Sequence, residues 1–563
     1  MTVCGQCEDG GVDSIESARR ITAALAANGI TDVVVAPGSR SAPLAYALAE
    51  TEAAGMLKLH VRIDERVAGF TALGLASGSG RPAAVLTTSG TAVGELMPAV
   101  MEANHAGIPL VVLSADRPDE LRGTGANQTT RQAGLFGVHV RAAVDVPAGS
   151  DPAPHLARAL AEARGVTQPP GPVQVNLAFR DPLVPGDSAL SKPAAPSSAA
   201  RTERDEPTTT ASPASVPDGE RTVVLAGHGA GEIAAVFAQH LGLPLLAEPS
   251  SNARFGSSAI APYRLLLEEF GPRIGKVVVF GRPTLSRPVA ALLARTDVER
   301  ALYVPEPASW FETGRRPERI IPALDELLTF VGRGADGWLE EWQVAGARAE
   351  AAIRLLLAAE PALNGLHVAD AVWEGTSGNL VLGSSNPIRD VDLVASAGWH
   401  PLEVYANRGL AGIDGTISTA SGIALAAGIP TRLLVGDLTF LHDAGGLLLG
   451  TGEEEPDLQV VVLNDAGGGI FGLLEHGEPA TIERYGPAVE RLFGTPHEAD
   501  IAGIAGSYGV AHRLVSSAEE LDEALAEPIG GRSIVEVRTN RAGLRDLHAR
   551  VKDAVREATR TAR

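Results

Sequence analysis

Two acidic positions in the last third of the chain have a spacing that suits metal and phosphate chemistry. Asp437 follows the apolar run 432–435, and a little under thirty residues later Asn464-Asp465 opens the glycine-rich turn 464–469. Carboxylate and amide oxygens are ligands that suit Mg²⁺, and the N–H groups of a glycine-rich turn can hold a diphosphate beside the metal. This spacing predicts a divalent-cation site next to a bound diphosphate.

A second set of polar residues follows apolar runs near the N-terminus. Arg40, Glu65 and Arg117 each come shortly after such a run, and the turn 88–91 (TSGT) follows another. Taken singly, the glutamate suits a helix start, an arginine suits solvated surface, and a Ser/Thr/Gly turn suits a loop. Their shared position favours a ligand site, because ligands bind outside the carboxyl ends of parallel strands.

The elements that carry these residues alternate between helix and strand. Asp13 and Glu16 form a capping pair for a helix with Ile21 and Leu25 on one face. Helices are also predicted at 65–76, 91–105 and 338–359. Short apolar runs predict strands at 32–36, 59–63, 83–87, 109–114, 222–226, 276–280, 380–383, 432–435, 459–463 and 533–537. The predicted fold class is α/β, with three domains, each a mainly parallel sheet flanked by helices.

Composition marks the boundaries between these domains. Residues 186–220 are rich in Pro, Ser, Thr and Ala, which is typical of a flexible linker. The expected order is an N-terminal tail, a first domain, the linker, a central domain and a third domain, at 1–12, 13–185, 186–220, 221–345 and 346–563.

Charge and hydropathy exclude several classes of function. The chain has 68 acidic and 47 basic residues, a formal charge of −21, which disfavours nucleic acid and anionic lipid as partners. No apolar run approaches the roughly 18 residues of a membrane helix, and the first residues lack the basic and apolar regions of a leader. We therefore expect a cytoplasmic protein without membrane insertion. Cys4 and Cys7, the two cysteines, lack a second pair for zinc and are expected in an exposed tail.

Six segments resemble one branch of the thiamine-diphosphate enzymes, the menaquinone-pathway synthases that act on 2-oxoglutarate and isochorismate. The three-domain order also matches the pyrimidine-binding, central and diphosphate-binding domains of that superfamily. The match is close in both outer domains and loose in the middle one. The segments are PGSRSAPL (37–44), DERVAGFTALGLA (64–76), TTSGTAV (87–93), SADRPDELRGTGANQTTRQ (114–132), NRGLAGIDGTISTASG (407–422) and GDLTFLHD (436–443).

This resemblance implies a reaction and its cofactors. Thiamine diphosphate, held with Mg²⁺ or Mn²⁺, would promote decarboxylation of 2-oxoglutarate and 1,4-addition of the resulting succinyl carbanion equivalent to isochorismate. By matched position Glu65 is the catalytic residue, which hydrogen-bonds the pyrimidine N1′ of the cofactor. Since the superfamily binds its cofactor between two chains, a homodimer or homotetramer is implied.

The same matching assigns binding residues, with some alternatives open. Planar guanidinium groups bind carboxylates bidentately, which suits the two dianionic substrates. The implied substrate-binding residues are Ser39, Arg40, Arg117, Asn127, Gln128 and Arg408. The implied cofactor-binding residues are Glu65, Gly90, Ser385, Asn386, Asp437, Leu438, Asn464, Gly468, Ile470 and Phe471. The implied metal ligands are Asp437, Asp465 and the carbonyl of Gly467.

Two departures from the superfamily pattern leave the metal ligands open. Leu438 stands where many members have glycine, and Asp465 replaces a common asparagine, so Asn464 stays an alternative ligand or diphosphate contact. Arg389 is a further substrate candidate or a surface arginine at a helix start. In the central domain, an anion site or solvated surface would explain Arg282, Arg287, Arg315 and Arg316.

Two rival functions are consistent with the same motifs. One is a thiamine-dependent decarboxylase or acetolactate-type ligase for smaller 2-oxoacids, which the arginines disfavour. The other is a scaffold that keeps the fold without the chemistry, which Glu65 and Asp437 disfavour.

Overall fold

The computed structural model of the protein describes residues 12–186, 218–312, 314–398 and 403–560. Cys4, Cys7 and most of the expected linker lie outside these residues. The chain forms two compact units. The first is built from the N-terminal part together with 418–427 and 445–455, and the second contains the central and C-terminal sheets.

The first unit contains a six-stranded, fully parallel sheet in the order β2-β1-β3-β4-β6-β5. Its strands are β1 (Asp32–Val35), β2 (Lys58–Val61), β3 (Ala83–Thr87), β4 (Leu110–Asp116), β5 (Ala142–Val146) and β6 (Val173–Ala178). The helices around it are Ser14–Ala27, Ala42–Ala53, Glu65–Ser79, Thr91–Gly94, Met97–Ala106 and Ala153–Ala163. Apolar side chains on both faces of the sheet are buried, as expected for a parallel sheet covered by helices.

Two helices of this unit test the sequence predictions directly. The capping prediction at Asp13 is confirmed, since its side chain accepts a hydrogen bond from the Glu16 N–H at 2.7 Å. The single helix predicted at 91–105 is wrong, because it is split into Thr91–Gly94 and Met97–Ala106. Pro98 lies at the start of the second helix, where its missing N–H costs nothing, but it cannot continue the preceding one.

The second unit carries two larger sheets and one small one. Its first strands are β7 (Asp218–Glu220), β8 (Thr222–Ala226), β9 (Leu245–Ala247), β10 (Lys276–Phe280), β11 (Glu299–Tyr303), β12 (Arg319–Ile321) and β13 (Arg333–Gly334). The middle sheet has the order β12-β11-β10-β8-β9, and β7 pairs with β13. The last strands are β14 (Asn379–Leu382), β15 (Glu403–Tyr405), β16 (Thr431–Gly436), β17 (Leu458–Asn464), β18 (Ala511–Val515) and β19 (Arg532–Arg538).

The third sheet is also parallel throughout, in the order β15-β14-β16-β17-β19-β18. Counted from its own first strand, this is the strand order of the first sheet. In both sheets the order reverses between the first and third strands, which is where ligands bind in such folds. Its helices and those of the middle sheet are Ile233–Leu241, Tyr263–Phe270, Arg287–Ala294, Leu324–Val331, Trp338–Ala358, Gly365–Glu374, Asn386–Val394, Asp437–His442, Ile470–Leu473, Pro479–Val489, Ile501–Ser507, Ala518–Ala526 and Leu544–Arg560. The helix Thr416–Ala427 belongs to the first unit from residue 418 onward.

The predicted fold class is confirmed by these three helix-flanked parallel sheets. The predicted strands 83–87, 222–226 and 276–280 have the bounds that the structure shows. Among the described residues, no helix combines the length and the apolar character needed to cross a bilayer.

Candidate functional site

Asp437 occupies the end of β16, beside the reversal point of the third sheet. It opens the helix Asp437–His442 and is 2% exposed. Its carboxylate accepts hydrogen bonds from the N–H of Gly467 at 2.9 Å and of Leu438 at 2.6 Å, and His497 Nε2 lies 3.2 Å away. Burial nevertheless raises the pKa of Asp437. The carboxylate is therefore incompletely compensated by its neighbours.

Asp465 lies close enough to Asp437 to add to this excess of negative charge. Burial, and then the charge of Asp437, raises the pKa of Asp465 to about 7. A bound cation would relieve both carboxylates. The turn that follows Asp465 is tight, since a Cβ on Gly467 would lie 2.3 Å from the carbonyl oxygen of Gly494.

The side chain of Asn464 is hydrogen-bonded to neighbouring residues at the end of β17. Its amide nitrogen donates to Glu536 Oε1 at 2.8 Å, and its amide oxygen accepts from the N–H of Ala466 at 3.1 Å. Burial alone would raise the pKa of Glu536, but hydrogen bonds from Arg538, Asn464 and His512 outweigh it and lower that pKa. Both polar atoms of the Asn464 side chain thus have partners within the protein.

The glycine-rich turn continues into a short helix that carries the predicted apolar contacts. Ile470 and Phe471 are half-buried in Ile470–Leu473, and the Phe471 ring lies 5.5 Å from that of Phe493. A Cβ on Gly468 would come within 2.8 Å of the Phe471 ring. The N–H groups of Gly467, Gly468 and Gly469 donate to Asp437 Oδ2 and to the carbonyls of Gly494 and Gly467, so the turn is held by its own hydrogen bonds.

The end of β14 brings Ser385, Asn386 and Arg389 together. Ser385 has φ 82° and ψ −135°, a conformation that side-chain-bearing residues rarely adopt. The Arg389 guanidinium donates to the Ser385 carbonyl, and Asn386 Nδ2 donates to Asp390 Oδ2 at 2.8 Å. Asn386 Oδ1 is buried without a hydrogen-bond partner among the described residues. It is an acceptor that a ligand donor can satisfy.

Arg408 is 3% exposed and lies beside the same strand end. Its Nη1 donates to Ser384 Oγ at 3.4 Å, and its Nη2 donates to Thr284 Oγ1 at 2.6 Å. The four central-domain arginines of the predicted anion site have partners of their own: Arg282 donates to the Gly409 carbonyl, while Glu475, Glu312 and Glu318 pair with Arg287, Arg315 and Arg316.

In the first unit, Glu65 opens the helix Glu65–Ser79 after β2. The preceding Asp64 caps this helix by accepting from the N–H groups of Arg66 and Val67. Glu65 is half-buried, and no described residue donates a hydrogen bond to its carboxylate. The helix cap is therefore Asp64, and Glu65 is not needed for that purpose.

Arg40 and Arg117 are brought together at the ends of β1 and β4. Burial, and then the positive charge of Arg117, lowers the pKa of Arg40. Arg40 Nη1 donates to the Phe179 carbonyl at 3.0 Å, and its buried Nε has no hydrogen-bond partner among the described residues. Arg117 Nη2 donates to the Asn127 carbonyl at 2.7 Å. Two close guanidinium groups suit an anion, whereas Ser39 is simply exposed in the turn after β1.

Gln128 is joined by two hydrogen bonds to Ser89, in the turn that contains Gly90. Its Nε2 donates to the Ser89 carbonyl at 2.9 Å, and Ser89 Oγ donates back to the Gln128 carbonyl at 2.8 Å. Gly90 has φ 85°, and a Cβ there would meet Gln128 Cγ at 2.9 Å. Gln132 accepts from the Gly90 N–H at 3.1 Å. The turn is therefore fixed by amide side chains.

Three contributors were missed by the sequence analysis. Gln132 ends one of the quoted segments but was not singled out. His497 follows Asp465 by some thirty residues in a loop with no motif, and Thr284 lies in the loop after β10 of the middle sheet. Among them, only Gln132 stood within a recognisable segment.

Comparisons with known proteins show which family has this arrangement of domains. The model of the thiamine pyrophosphate enzyme N-terminal TPP binding domain matches residues 15–135, and that of the C-terminal TPP binding domain matches 394–537. The 2-succinyl-5-enolpyruvyl-6-hydroxy-3-cyclohexene-1-carboxylate synthase of Arthrobacter sp. (strain FB24) is 60% identical, over 99% of this chain and 95% of its own. The chain belongs to this synthase family. The synthase of Mycobacterium marinum is 43% identical, over 96% of this chain and 100% of its own.

Solved structures agree on the fold of this synthase family member. Benzoylformate decarboxylase from Polynucleobacter necessarius aligns with a TM-score of 0.64 at 15% identity, over 93% of this chain and 98% of its own. A putative thiamin diphosphate-dependent enzyme from Mycobacterium smegmatis aligns with a TM-score of 0.65 at 16% identity, over 94% and 100%. At these identities the likeness concerns the fold alone. The family resemblance seen in the sequence is confirmed by the synthase relatives, and the thiamine-diphosphate-binding domains by the two domain models.

Proposed function

We propose that this chain catalyses the thiamine-diphosphate-dependent decarboxylation of 2-oxoglutarate and joins the four-carbon product to isochorismate by 1,4-addition. The products are 2-succinyl-5-enolpyruvyl-6-hydroxy-3-cyclohexene-1-carboxylate and CO2, in menaquinone biosynthesis. The observation that carries this proposal is the 60% identity to a named synthase over nearly the whole chain. Conserved length and identity at this level support a shared activity.

Glu65 is the catalytic residue of this proposal. When bound, thiamine diphosphate supplies the electron sink that decarboxylation requires. The Glu65 carboxyl oxygen would share a proton with the pyrimidine nitrogen of the cofactor, as a general acid–base group within hydrogen-bonding reach. Its carboxylate receives no hydrogen bond from a described residue, which supports this role.

The cation site fits Mg²⁺, with Mn²⁺ as an alternative. Asp437, Asp465 and the carbonyl of Gly467 would hold the ion, because the two carboxylates have raised pKa values that a positive charge would reverse. The diphosphate and ring contacts would come from Gly90, Ser385, Asn386, Leu438, Asn464, Gly468, Ile470 and Phe471.

The substrates are two dianions, and the guanidinium groups are their proposed partners. Arg40 and Arg117 would bind one carboxylate together, and Arg408 another, because paired planar donors match carboxylate geometry. The neighbouring donors are Ser39, Asn127 and Gln128. At a net charge of −21, such a local positive site is needed to attract anionic substrates.

The proposed assembly is a cytoplasmic homo-oligomer with active sites between chains. Each chain would contribute a pyrimidine-binding domain at 13–185 and a diphosphate-binding domain at 346–563, with the central domain at 221–345.

The direct test combines the purified chain with thiamine diphosphate, Mg²⁺, 2-oxoglutarate and isochorismate. We expect loss of isochorismate absorbance and release of CO2 in equal amounts. Omitting isochorismate should abolish sustained turnover. Consumption of pyruvate in place of 2-oxoglutarate would instead support the ligase for smaller acids, and absence of any turnover would refute the proposal.

A further inference from the structure

Two loops at the carboxyl edge of the middle sheet hold the segment 404–409. Asn252, after β9, accepts from the Val404 N–H at 2.8 Å and donates to the Val404 carbonyl at 3.1 Å. Arg282, after β10, donates to the Gly409 carbonyl at 2.7 Å. The middle sheet thus fixes the backbone on both sides of Arg408.

The side chain of Arg408 is fixed by the same edge. Thr284 Oγ1 accepts hydrogen bonds from Arg408 Nη2 at 2.6 Å and from Nε at 3.2 Å. One hydroxyl therefore binds both nitrogens along one edge of the guanidinium group. Because the guanidinium is rigid and planar, holding that side sets the direction of every other N–H.

Glu248 fixes Thr284 in turn. Its Oε1 accepts from the N–H groups of Thr284 at 2.8 Å and of Leu285 at 2.9 Å. The side chain is fully buried, and Oε2 has no hydrogen-bond partner among the described residues. Burial raises the pKa of Glu248 to about 8, so the acid is mainly uncharged at neutral pH. The hydrogen bonds of its carboxyl group are therefore with the backbone at Thr284 and Leu285.

We propose that Glu248 and Thr284 are positioning residues that orient Arg408 and thereby set the affinity for a substrate carboxylate. This inference rests on the proposed role of Arg408 as a carboxylate ligand. It assigns the central domain a task in substrate binding, carried out through hydrogen bonds rather than through contact with the reacting atoms. Thr284 is exposed, so its hydroxyl is not required for core packing.

The test compares Thr284→Val, which removes the hydroxyl and keeps the shape, with Thr284→Ser, which keeps the hydroxyl. Thr284→Val should raise the KM of one of the two substrates about tenfold, the factor that corresponds to about 1.4 kcal/mol, while kcat stays within about twofold. Thr284→Ser should match the wild type. Ser286→Ala is the matched control, since it removes a hydroxyl two positions away that has no hydrogen-bond partner among the described residues.

A double-mutant cycle separates this inference from the proposed function. Thr284→Val should add no further increase in KM in an Arg408→Gln background. If Arg408→Gln leaves both KM values unchanged, the proposed role of Arg408 fails and the inference falls with it. If Arg408→Gln raises a KM but Thr284→Val behaves like Thr284→Ser, the positioning inference alone is refuted.

Glu248 gives a second, independent arm. Glu248→Gln keeps an acceptor oxygen for the two backbone N–H groups and should retain the wild-type KM. Glu248→Leu removes the acceptor and should raise the same KM that Thr284→Val raises. An increase of similar size in Glu248→Gln would contradict the inference. Should Glu248→Leu not fold, the threonine pair and its cycle still decide the question.

Discussion

The first and third sheets share one strand order, but the acids that follow β16 and β17 of the third sheet lack the hydrogen-bonding partners that Asp116 and Asp145 of the first sheet have. In the first sheet, Asp116 pairs with Arg122 at 3.0 Å and receives a hydrogen bond from Asn176 at 2.9 Å. Burial alone would raise the pKa of Asp145, but hydrogen bonds from Arg122 and Asn176 lower it. In the third sheet, burial raises the pKa of Asp437 and Asp465.

This difference separates the contribution of topology from that of the loops. Strand order brings the loops of both sheets to a reversal point, which makes either edge suitable for a ligand. The loop residues then decide the charge that each edge accepts. Amides and arginines in the first sheet suit a neutral ring and anions, whereas uncompensated carboxylates in the third suit a cation.

The largest expected effect concerns Glu65, whose carboxylate receives no hydrogen bond from a described residue. Glu65→Gln should lower kcat by roughly 10²–10⁴-fold, because an amide cannot exchange the proton that general acid–base catalysis requires. Melting temperature should stay close to that of the wild type, since Asp64 caps the helix. Glu326→Gln, at an exposed first-turn acid that pairs with Arg319, should keep full activity. An undiminished rate in Glu65→Gln would end the proposed mechanism.

Asp437 tests whether the carboxylates of the third sheet bind a cation, and the test needs no activity assay. Adding thiamine diphosphate and Mg²⁺ should raise the melting temperature of the wild type, because a ligand that binds only the folded state stabilises it. Asp437→Asn should lose most of that rise. Asp145→Asn, in the compensated first sheet, should retain it. Equal rises in Asp437→Asn and the wild type would remove the distinction between the two edges.

Gly90 tests whether the turn after β3, at the carboxyl edge of the first sheet, has room for a side chain. Gly90→Ser should lower the melting temperature by several degrees, because φ is 85° and the new Cβ would lie 2.9 Å from Gln128 Cγ. Thiamine diphosphate should also bind more weakly, as judged from titration of the protein's fluorescence. An unchanged melting temperature would show that this turn adapts to a side chain.

Asp390 adds a pH dependence to the third sheet. Burial raises its pKa to about 7, from about 4 in an unfolded chain. Between those values the folded protein binds the extra proton, so the contribution of Asp390 to wild-type stability falls as pH rises from 5 to 8. Asp390→Asn removes this titration and keeps an oxygen acceptor for Asn386. Its melting temperature relative to the wild type should therefore rise by a few degrees from pH 5 to pH 8, in cofactor-free protein. A difference that stays constant with pH would contradict the raised pKa.

The smallest expected effect comes from the backbone conformation that the two edges share. Gly90 and Ser385 have nearly the same φ and ψ, yet one position carries a side chain. Ser385→Gly should leave the melting temperature unchanged or about a degree higher, since relief of strain offsets the added freedom of the unfolded chain. Any loss of cofactor affinity would then measure the contribution of the Ser385 hydroxyl to binding. A clear drop in stability would mean that Ser385 is not strained.

Much of this architecture followed from local patterns. Apolar runs placed β3, β8 and β10 at their observed bounds, because fully buried strands are short and continuous in apolar residues. The capping pair at Asp13 was predictable because its hydrogen bond spans only three residues. The split near Pro98 was missed, since apolar periodicity continues across it while the backbone hydrogen bonds do not.

The sequence by itself determined the family, the parallel α/β class and the residues that follow each strand, because these depend on local order and on recognisable segments. Only the tertiary structure decided that Asn464 is committed to Glu536, that Asp64 rather than Glu65 caps its helix, and that Thr284 holds Arg408. Partners such as Thr284 and Arg408 lie far apart along the chain. Their pairing depends on how sheets pack, and no short-range pattern encodes it.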